Sequence, residues 1–351
     1  MELYILNKDF EIIHFIDAYT SLEWVRRYYE AGDFVFNSVA DAETVMAMLD
    51  GRYIVREDCE TIMMIEKILP LKTSATEGNT ISVAGRSIEA LLDRRIVWNQ
   101  TNTTAGETVE SYIRRLVTEN CISPADTKRK IPRLKLGQLK GFTEKIDKQI
   151  TGDNLLIAIT EICTAYGYGF KITIDEEGSL VFDLYKGTDR SYNQSENPYV
   201  VFSNDYDNLI NTEYSYDETS YKNVALIGGE GEGIDRKYQY IGDSEGFDRY
   251  ELFIDAKDIS SNNGEIAPTE YNNLLIERGY EKLAENSYKE SFTGEVENTK
   301  TYIYKKDYDL GDIVQVENEY GMTASPRILE IIESQNENGY RVVPTYGTWE
   351  V

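Results

Sequence analysis

The chain has 351 residues with 36 basic and 62 acidic side chains, a net charge of −26. That length suits two or three domains, and 41 % apolar residues suffice for sizeable cores. So negative a chain is excluded from wrapping duplex DNA tightly or binding anionic lipid, since both need a positive field. A single histidine, His14, excludes a multi-histidine zinc site within one chain.

Hydrophobic patterning divides the chain. The first hundred residues read mainly as strands. Leu3–Leu6 and Phe10–Ile13 flank the hairpin signal Asn7-Lys8-Asp9. His14 then lies on the mixed face of a strand. Leu22–Tyr29, Phe34–Phe36, Arg52–Val55, Thr61–Leu71 and Asn79–Gly85 continue the series, with one short helix expected at Asp41–Leu49. Short strands at this spacing predict an antiparallel barrel or sandwich.

The next block is helical. Thr104 and Glu107 have capping-box spacing, and Val109, Tyr112, Ile113, Leu116 and Val117 make one apolar stripe. A second helix is expected from Asp153 to a stop at Gly167, burying Leu155, Leu156, Ile159, Ile162 and Cys163. A hairpin follows, with Phe170, Ile172 and Ile174 alternating against Leu180, Phe182 and Leu184 across a turn at Asp175–Gly178. Together these predict an α+β unit over about 100–200. Strands return at Asn211–Tyr216 and Asn223–Ile227. A helix is expected at Pro268–Glu285, then strands at Thr301–Tyr304, Asp312–Val316, Arg327–Glu333 and Tyr340–Pro344.

The charge is uneven. Residues 1–150 hold 20 basic and 23 acidic residues, whereas 151–351 hold 16 and 39. Lys128-Arg129-Lys130 with Arg133 and Lys135 forms a basic run without interleaved aromatics. It reads as a loop or a contact to an acidic neighbouring subunit rather than a nucleic-acid site. Arg26-Arg27 and Arg94-Arg95 lie beside strand-like aromatics and are expected to make partly buried ion pairs with carboxylates.

No stretch carries a catalytic fingerprint. Gly228–Gly233 follows an apolar strand but carries Glu230 and Glu232, which repel phosphate, and reads as a flexible surface loop. The pairs Glu57-Asp58, Glu176-Glu177 and Asp205/Asp207 are what 62 acids produce by chance. Asp175–Gly178 is too short for an EF-hand loop and reads as a turn. Cys59, Cys121 and Cys163 are far apart and are expected to be reduced, partly buried thiols of a protein made in a reducing cytosol. The N-terminus lacks the apolar run of a signal peptide, and no stretch approaches the length of a membrane helix. No catalytic, cofactor-binding or metal-binding residue is expected.

Three stretches together resemble a known family. They are Ser21–Phe34 (SLEWVRRYYEAGDF), Ile81–Ile96 (ISVAGRSIEALLDRRI), and a C-terminal set of Leu310–Val314, Arg327–Ile331 and Pro344–Gly347. In order and spacing they resemble the gp thirty-seven-like tail proteins of siphophages, a family similar to the baseplate-hub proteins of phage tails and contractile injection systems. The resemblance implies an α+β, mainly β fold with two antiparallel tail-tube-like β-barrels and an inserted α+β domain. By it the first barrel is 1–100, the insert 101–200 and 231–295, and the second, split barrel 201–230 and 296–351. It implies a homotrimer whose six barrels form a pseudo-sixfold ring that joins the tail tube and distal tail ring to the tip. The implied partners are tail tube, distal tail, tape-measure and tail-tip or fibre proteins. DNA passes through the channel without specific binding, and no stable membrane association is implied. The expected location is the virion tail, after synthesis in the bacterial host cytoplasm. Acidic walls would keep a passing duplex mobile, although the same charge also serves solubility. The sequence ends at Thr348-Trp349-Glu350-Val351 without a fibre or lysin extension, which disfavours a wall-degrading hydrolase. A tail-tip adhesin that binds wall carbohydrate through exposed Tyr and Trp is the alternative.

Overall fold

A computed structural model describes residues 1–16, 18–68, 79–296, 301–317, 321 and 323–346. The first strands are β1 (Leu3–Leu6) and β2 (Ile12–Ile16), joined by the expected hairpin with Leu6 opposite Ile12. The Asn7 side-chain oxygen accepts the Asp9 and Glu11 N–H groups and so closes the turn. There follow β3 (Ser21–Arg27), β4 (Asp33–Val39), α1 (Ala42–Asp50), β5 (Tyr53–Arg56), β6 (Cys59–Met64), β7 (Lys67–Ile68) and β8 (Thr80–Arg86). Asp41 caps α1 by accepting the Thr44 N–H at 2.8 Å. The expected strand at Thr61–Leu71 is broken at Ile65-Glu66, and its last residues lie outside the described part. The sheet β2-β1-β5-β6 packs on β3, β4 and β8, burying Leu3, Ile5, Ile54 and Met63 against Trp24, Phe34, Phe36 and Val83. Period-2 alternation in each strand makes both facing layers apolar.

The helical block contains β9 (Thr101–Asn102), α2 (Val109–Val117), β10 (Leu134–Leu136), β11 (Gln149–Ile150), α3 (Leu155–Tyr166), β12 (Gly169–Ile174) and β13 (Leu180–Tyr185). The apolar stripe of α2 is buried as expected, and α3 stops at Gly167, whose φ of +70° is the left-handed C-cap. The start of α2 differs from expectation. Glu107 does accept the Thr104 N–H at 2.9 Å, yet the cap is Thr108, whose hydroxyl accepts the Ser111 N–H. Val109 N–H bonds Glu144 O and Ile146 N–H bonds Glu107 O, so a crossing segment holds residues before Thr108 in extended form.

The last part comprises β14 (Val201–Ser203), β15 (Leu209–Asp217), β16 (Val224–Gly228), β17 (Tyr238–Ile241), β18 (Glu251–Asp255), α4 (Pro268–Glu285), β19 (Lys289–Val296), β20 (Gln315–Glu317), β21 (Thr323–Ala324), β22 (Ile328–Asn336) and β23 (Gly339–Tyr346). α4 covers one face of the sheet β17-β16-β18, packing Tyr271, Leu274 and Leu275 on Ala225, Ile227 and Ile254. The expected strand at Thr301–Tyr304 is not formed; Tyr304 meets only Tyr308 in an isolated bridge.

The largest sheet has the order β15-β19-β23-β22-β3-β4-β8-β7. Its two halves come from opposite ends of the chain and join where β3 pairs antiparallel with β22, with Trp24 opposite Glu333 and Arg27 opposite Glu330. The fold is mainly β with four α-helices among the described residues. No sheet closes into a barrel among those residues: the large sheet ends at β15 and β7, which do not pair with each other. Each half instead buries its inner face against a second layer or against the C-terminal loops.

Candidate functional site

The junction of the two halves is a network of arginines. Arg56 is fully buried and donates to Glu333, itself buried, at 2.8 Å and to Asp58 at 2.7 Å, while its guanidinium lies over the Trp24 ring. Tyr340 Oη donates to the same Glu333 at 2.7 Å. Arg26 reaches Asp309 at 2.9 Å, and Arg27 bridges Asp33 and Glu330. The ion pairing expected of Arg26-Arg27 is therefore present, with Asp309 and Glu330 more than 270 residues away and Asp33 only six. Such charge-assisted bonds are directional and fix the angle between the two halves.

Tyr28 is the point where three parts of the chain meet. It is fully buried, stands edge-on to Tyr185 and carries the Arg327 guanidinium over its ring. Its hydroxyl lies 3.2 Å from the carbonyls of Gly167 and Tyr185 and accepts the Gly187 N–H at 3.3 Å. The block carrying α4 docks on the α2–α3 block through polar contacts. Lys148 forms a buried pair with Glu281, Tyr166 Oη bonds Glu277 at 3.2 Å, and the Ser260 N–H donates to Gln149 at 3.0 Å. Burial pushes the carboxyls of Glu161 and Glu277, beside this pair, above their usual range.

The residue groups singled out above lie in separate places on the fold. His14 sits half-buried on β2 with Nδ1 3.5 Å from Glu43, and no Ser, Thr or Cys lines the shallow hollow around it. Cys121 and Cys163 are buried and Cys59 is half-buried. Burial pushes the Cys121 thiol up to about 12. Asp58 is held by Arg56, Asp175 by Lys135 at 2.6 Å, and Asp207 sits in a turn with φ of +51°, so the three acid pairs lie in three separate turns. Among the described residues no group of three His, Cys, Asp or Glu side chains is placed to hold a metal ion, and no helix is long and apolar enough to cross a membrane.

Two expectations need correction. The Gly228–Gly233 stretch is tethered at its start, and only Gly231–Gly233 stand exposed as a surface loop. Gly229 N–H bonds Lys237 O, Glu230 N–H donates to Tyr271 Oη at 2.7 Å, and the Glu230 carboxylate accepts the Ser261 N–H at 3.0 Å. Arg94-Arg95 does not behave as a carboxylate-paired unit. Arg94 lies 3.7 Å from Glu66, but Arg95 donates to the carbonyls of Arg129 and Arg94. In the basic run Lys135 is paired with Asp175, whereas Arg129 and Arg133 bond carbonyl oxygens.

The surfaces are more distinctive than the interior. β15 forms an edge of the large sheet and pairs only with β19 among the described residues. On the face of β17-β16-β18 turned away from α4, Tyr240, Leu226 and Phe253 stand side by side across three strands, all exposed. Ile234 and Phe247, in the adjoining loops, are fully exposed. No period or motif singled these residues out, because a lone apolar residue in a polar loop has no sequence signature. A row of exposed apolar side chains across three strands is unusual, whereas singly exposed apolar residues are ordinary.

The overall architecture is that of phage tail proteins. It is similar to the tail protein from Neisseria meningitidis MC58 (15 % identity, TM-score 0.59, covering 99 % of this chain and 96 % of that one). It is also similar to the 43 kDa tail protein of prophage MuSo2 from Shewanella oneidensis (15 %, 0.55, 99 % and 98 %) and to prophage tail protein gp18 from Listeria monocytogenes EGD-e (13 %, 0.53, 98 % and 94 %). The chain belongs to the family described as Siphovirus ReqiPepy6 Gp37-like protein, which it matches over residues 2–348. Membership in this siphovirus family and a fold shared with phage tail proteins agree with each other. No curated protein matches the sequence.

Proposed function

We propose that this chain is a non-enzymatic hub of the tail tip. Three copies form a pseudo-sixfold ring that joins the tail tube and distal tail ring to the tip and surrounds the DNA channel. The proposed tail-tube-like units are 1–100 and a second one from 201–217 with 289–346, with 101–200 and 224–285 as the insert; the expected bounds at 230 and 296 shift because β16 pairs with β17 and β18, and β19 with β15 and β23. Tape-measure and fibre proteins are the further partners, and synthesis in the host cytoplasm precedes assembly. One observation carries this reading: the β3–β22 pairing makes one continuous antiparallel sheet from both ends of the chain. A subunit that offers two similar sheet halves in one rigid piece suits a ring of twice its copy number. The acidic second part supports a channel role, since it repels phosphates.

Light scattering with negative-stain imaging tests the reading. A species of three times the 40.2 kDa chain mass with a central hole is expected. A single-chain mass at all concentrations, with no ring when distal tail protein is added, would overturn it. The exposed Tyr240–Leu226–Phe253 row favours a second reading, an adhesin for wall carbohydrate, because aromatic faces stack on sugars. Saturable binding of host wall polysaccharide, lost on Tyr240→Ala, would favour that alternative.

A further inference from the structure

A cavity of about 410 Å³ lies between the β1–β2 turn and the helical block. Its walls are apolar, from Phe10, Tyr53, Leu91, Ile131 and Leu180. Its rim is basic, from Lys8, Arg94, Arg95 and Arg133, with Asp9 as its one carboxylate. A second hollow of about 380 Å³ shares Arg94 and Arg95 and adds Arg129, Lys128 and the exposed Trp98; its carboxylates are Asp93 and Asp126. Asp93 is bonded to Arg86 and Asn154, and Asp126 caps a turn. Arg95, Lys128, Arg129 and Arg133 have no carboxylate within ion-pair distance among the described residues. In a chain with 62 acids, that is a positive field left uncancelled.

The complement is on the same chain. Between β17 and β18, Phe247 is fully exposed and is flanked by Asp243, Glu245 and Asp248. None of these three carboxylates has a basic partner among the described residues; the nearby Arg249 is taken by Glu251. An aromatic side chain between carboxylates matches an apolar cavity with a cationic rim in both shape class and charge.

We infer that the Phe247 loop of one copy seats in the Arg94–Arg133 cavity of a second copy, making a head-to-tail contact between subunits. Patch and cavity are different surfaces, so the contact is heterologous and generates a ring when its rotation closes. The inference rests on the ring reading above and names the surfaces that build it.

Mixing experiments on the full chain test it. One variant blocks the cavity (Arg94→Glu with Arg133→Glu), and another blocks the loop (Phe247→Ser with Glu245→Arg). All four positions are on the surface, and equal melting curves confirm that both variants fold. Native mass is measured against concentration. The wild type is expected to assemble. Each variant alone should need at least about tenfold more protein, the factor that 1.4 kcal/mol represents. A mixture of the two should yield a two-chain species, because one intact cavity meets one intact loop. If both variants assemble like the wild type, this contact is wrong while the ring reading stands. If the wild type itself stays at single-chain mass, the self-contact and the ring of this chain alone both fall. If a labelled single-stranded oligonucleotide binds the wild type and not the cavity variant, the cavity takes nucleic acid and the inference is overturned.

Discussion

Gly311 lies so close to the face of Tyr28 that a Cβ at this position would stand 2.3 Å from the Tyr28 ring. Its φ of +91° is also one that side-chain-bearing residues rarely adopt. Two independent reasons therefore require glycine here. Gly311→Ala is expected to cost roughly 2–4 kcal/mol, combining overpacking with backbone strain. Tyr28→Phe keeps the ring and loses only the hydroxyl bonds, so it should cost about 1 kcal/mol. Urea unfolding of both variants checks this; equal costs would show that the ring contact does not govern the site.

The Arg56–Glu333 pair holds the first sheet layer to the last hairpin. Removing one member leaves a buried charge, so Glu333→Ala should destabilise by about 3–5 kcal/mol, less whatever Asp58 compensates. Replacing both members by apolar residues, Arg56→Met with Glu333→Leu, should cost much less than the sum of the single changes. Additive costs in a double-mutant cycle would mean that the two side chains are not coupled.

Stability should fall in acid partly through Glu144. The Lys186 ammonium at 2.6 Å, and then the Tyr168 hydroxyl, hold its carboxyl down to about 2. A carboxyl depressed in the folded state stabilises fully above its unfolded value of about 4.3 and loses that contribution as pH falls towards 2. Glu144→Gln should therefore flatten the decline in urea midpoint between pH 4.5 and 2.5 while changing the midpoint less at pH 3 than at pH 7. A decline as steep as that of the wild type would assign acid sensitivity to other groups. The group is largely exposed, so salt should reduce the effect.

Tyr271 ties down the acidic glycine stretch. Its hydroxyl accepts the Glu230 N–H at 2.7 Å and lies 3.2 Å from Ile259 O. Tyr271→Phe should cost about 1–2 kcal/mol and speed hydrogen exchange at the Glu230 amide. Unchanged exchange would mean that the backbone bonds to Lys237 and the Ser261 N–H bond to the Glu230 carboxylate hold the loop without it.

Local features were readable in the residues because they depend on near neighbours. α3 with its Gly167 stop, the β12–β13 hairpin and α4 at Pro268–Glu285 stand where spacing, caps and turn residues predict them. Family membership was readable as well, since three ordered stretches carry it. The misplaced start of α2 and the tethering of Gly228–Gly233 were not. Both depend on bonds to segments more than 20 residues away, at Glu144 and at Tyr271 and Ser261.

By itself, then, the sequence determined the mainly β character, the helical block between the strands and the absence of a multi-histidine site. Each follows from periodicity or residue count. Only the tertiary structure decided that β3 pairs with β22, that Arg56 is neutralised by Glu333, and that Arg95 and Arg133 face a cavity without carboxylate partners. Pairing between distant strands leaves no trace in local spacing, because the hydrogen bonds that make it come from backbone groups that every residue carries. Which charges are cancelled is likewise a matter of distance in space, and 62 acids along a chain do not disclose which of them lie beside an arginine.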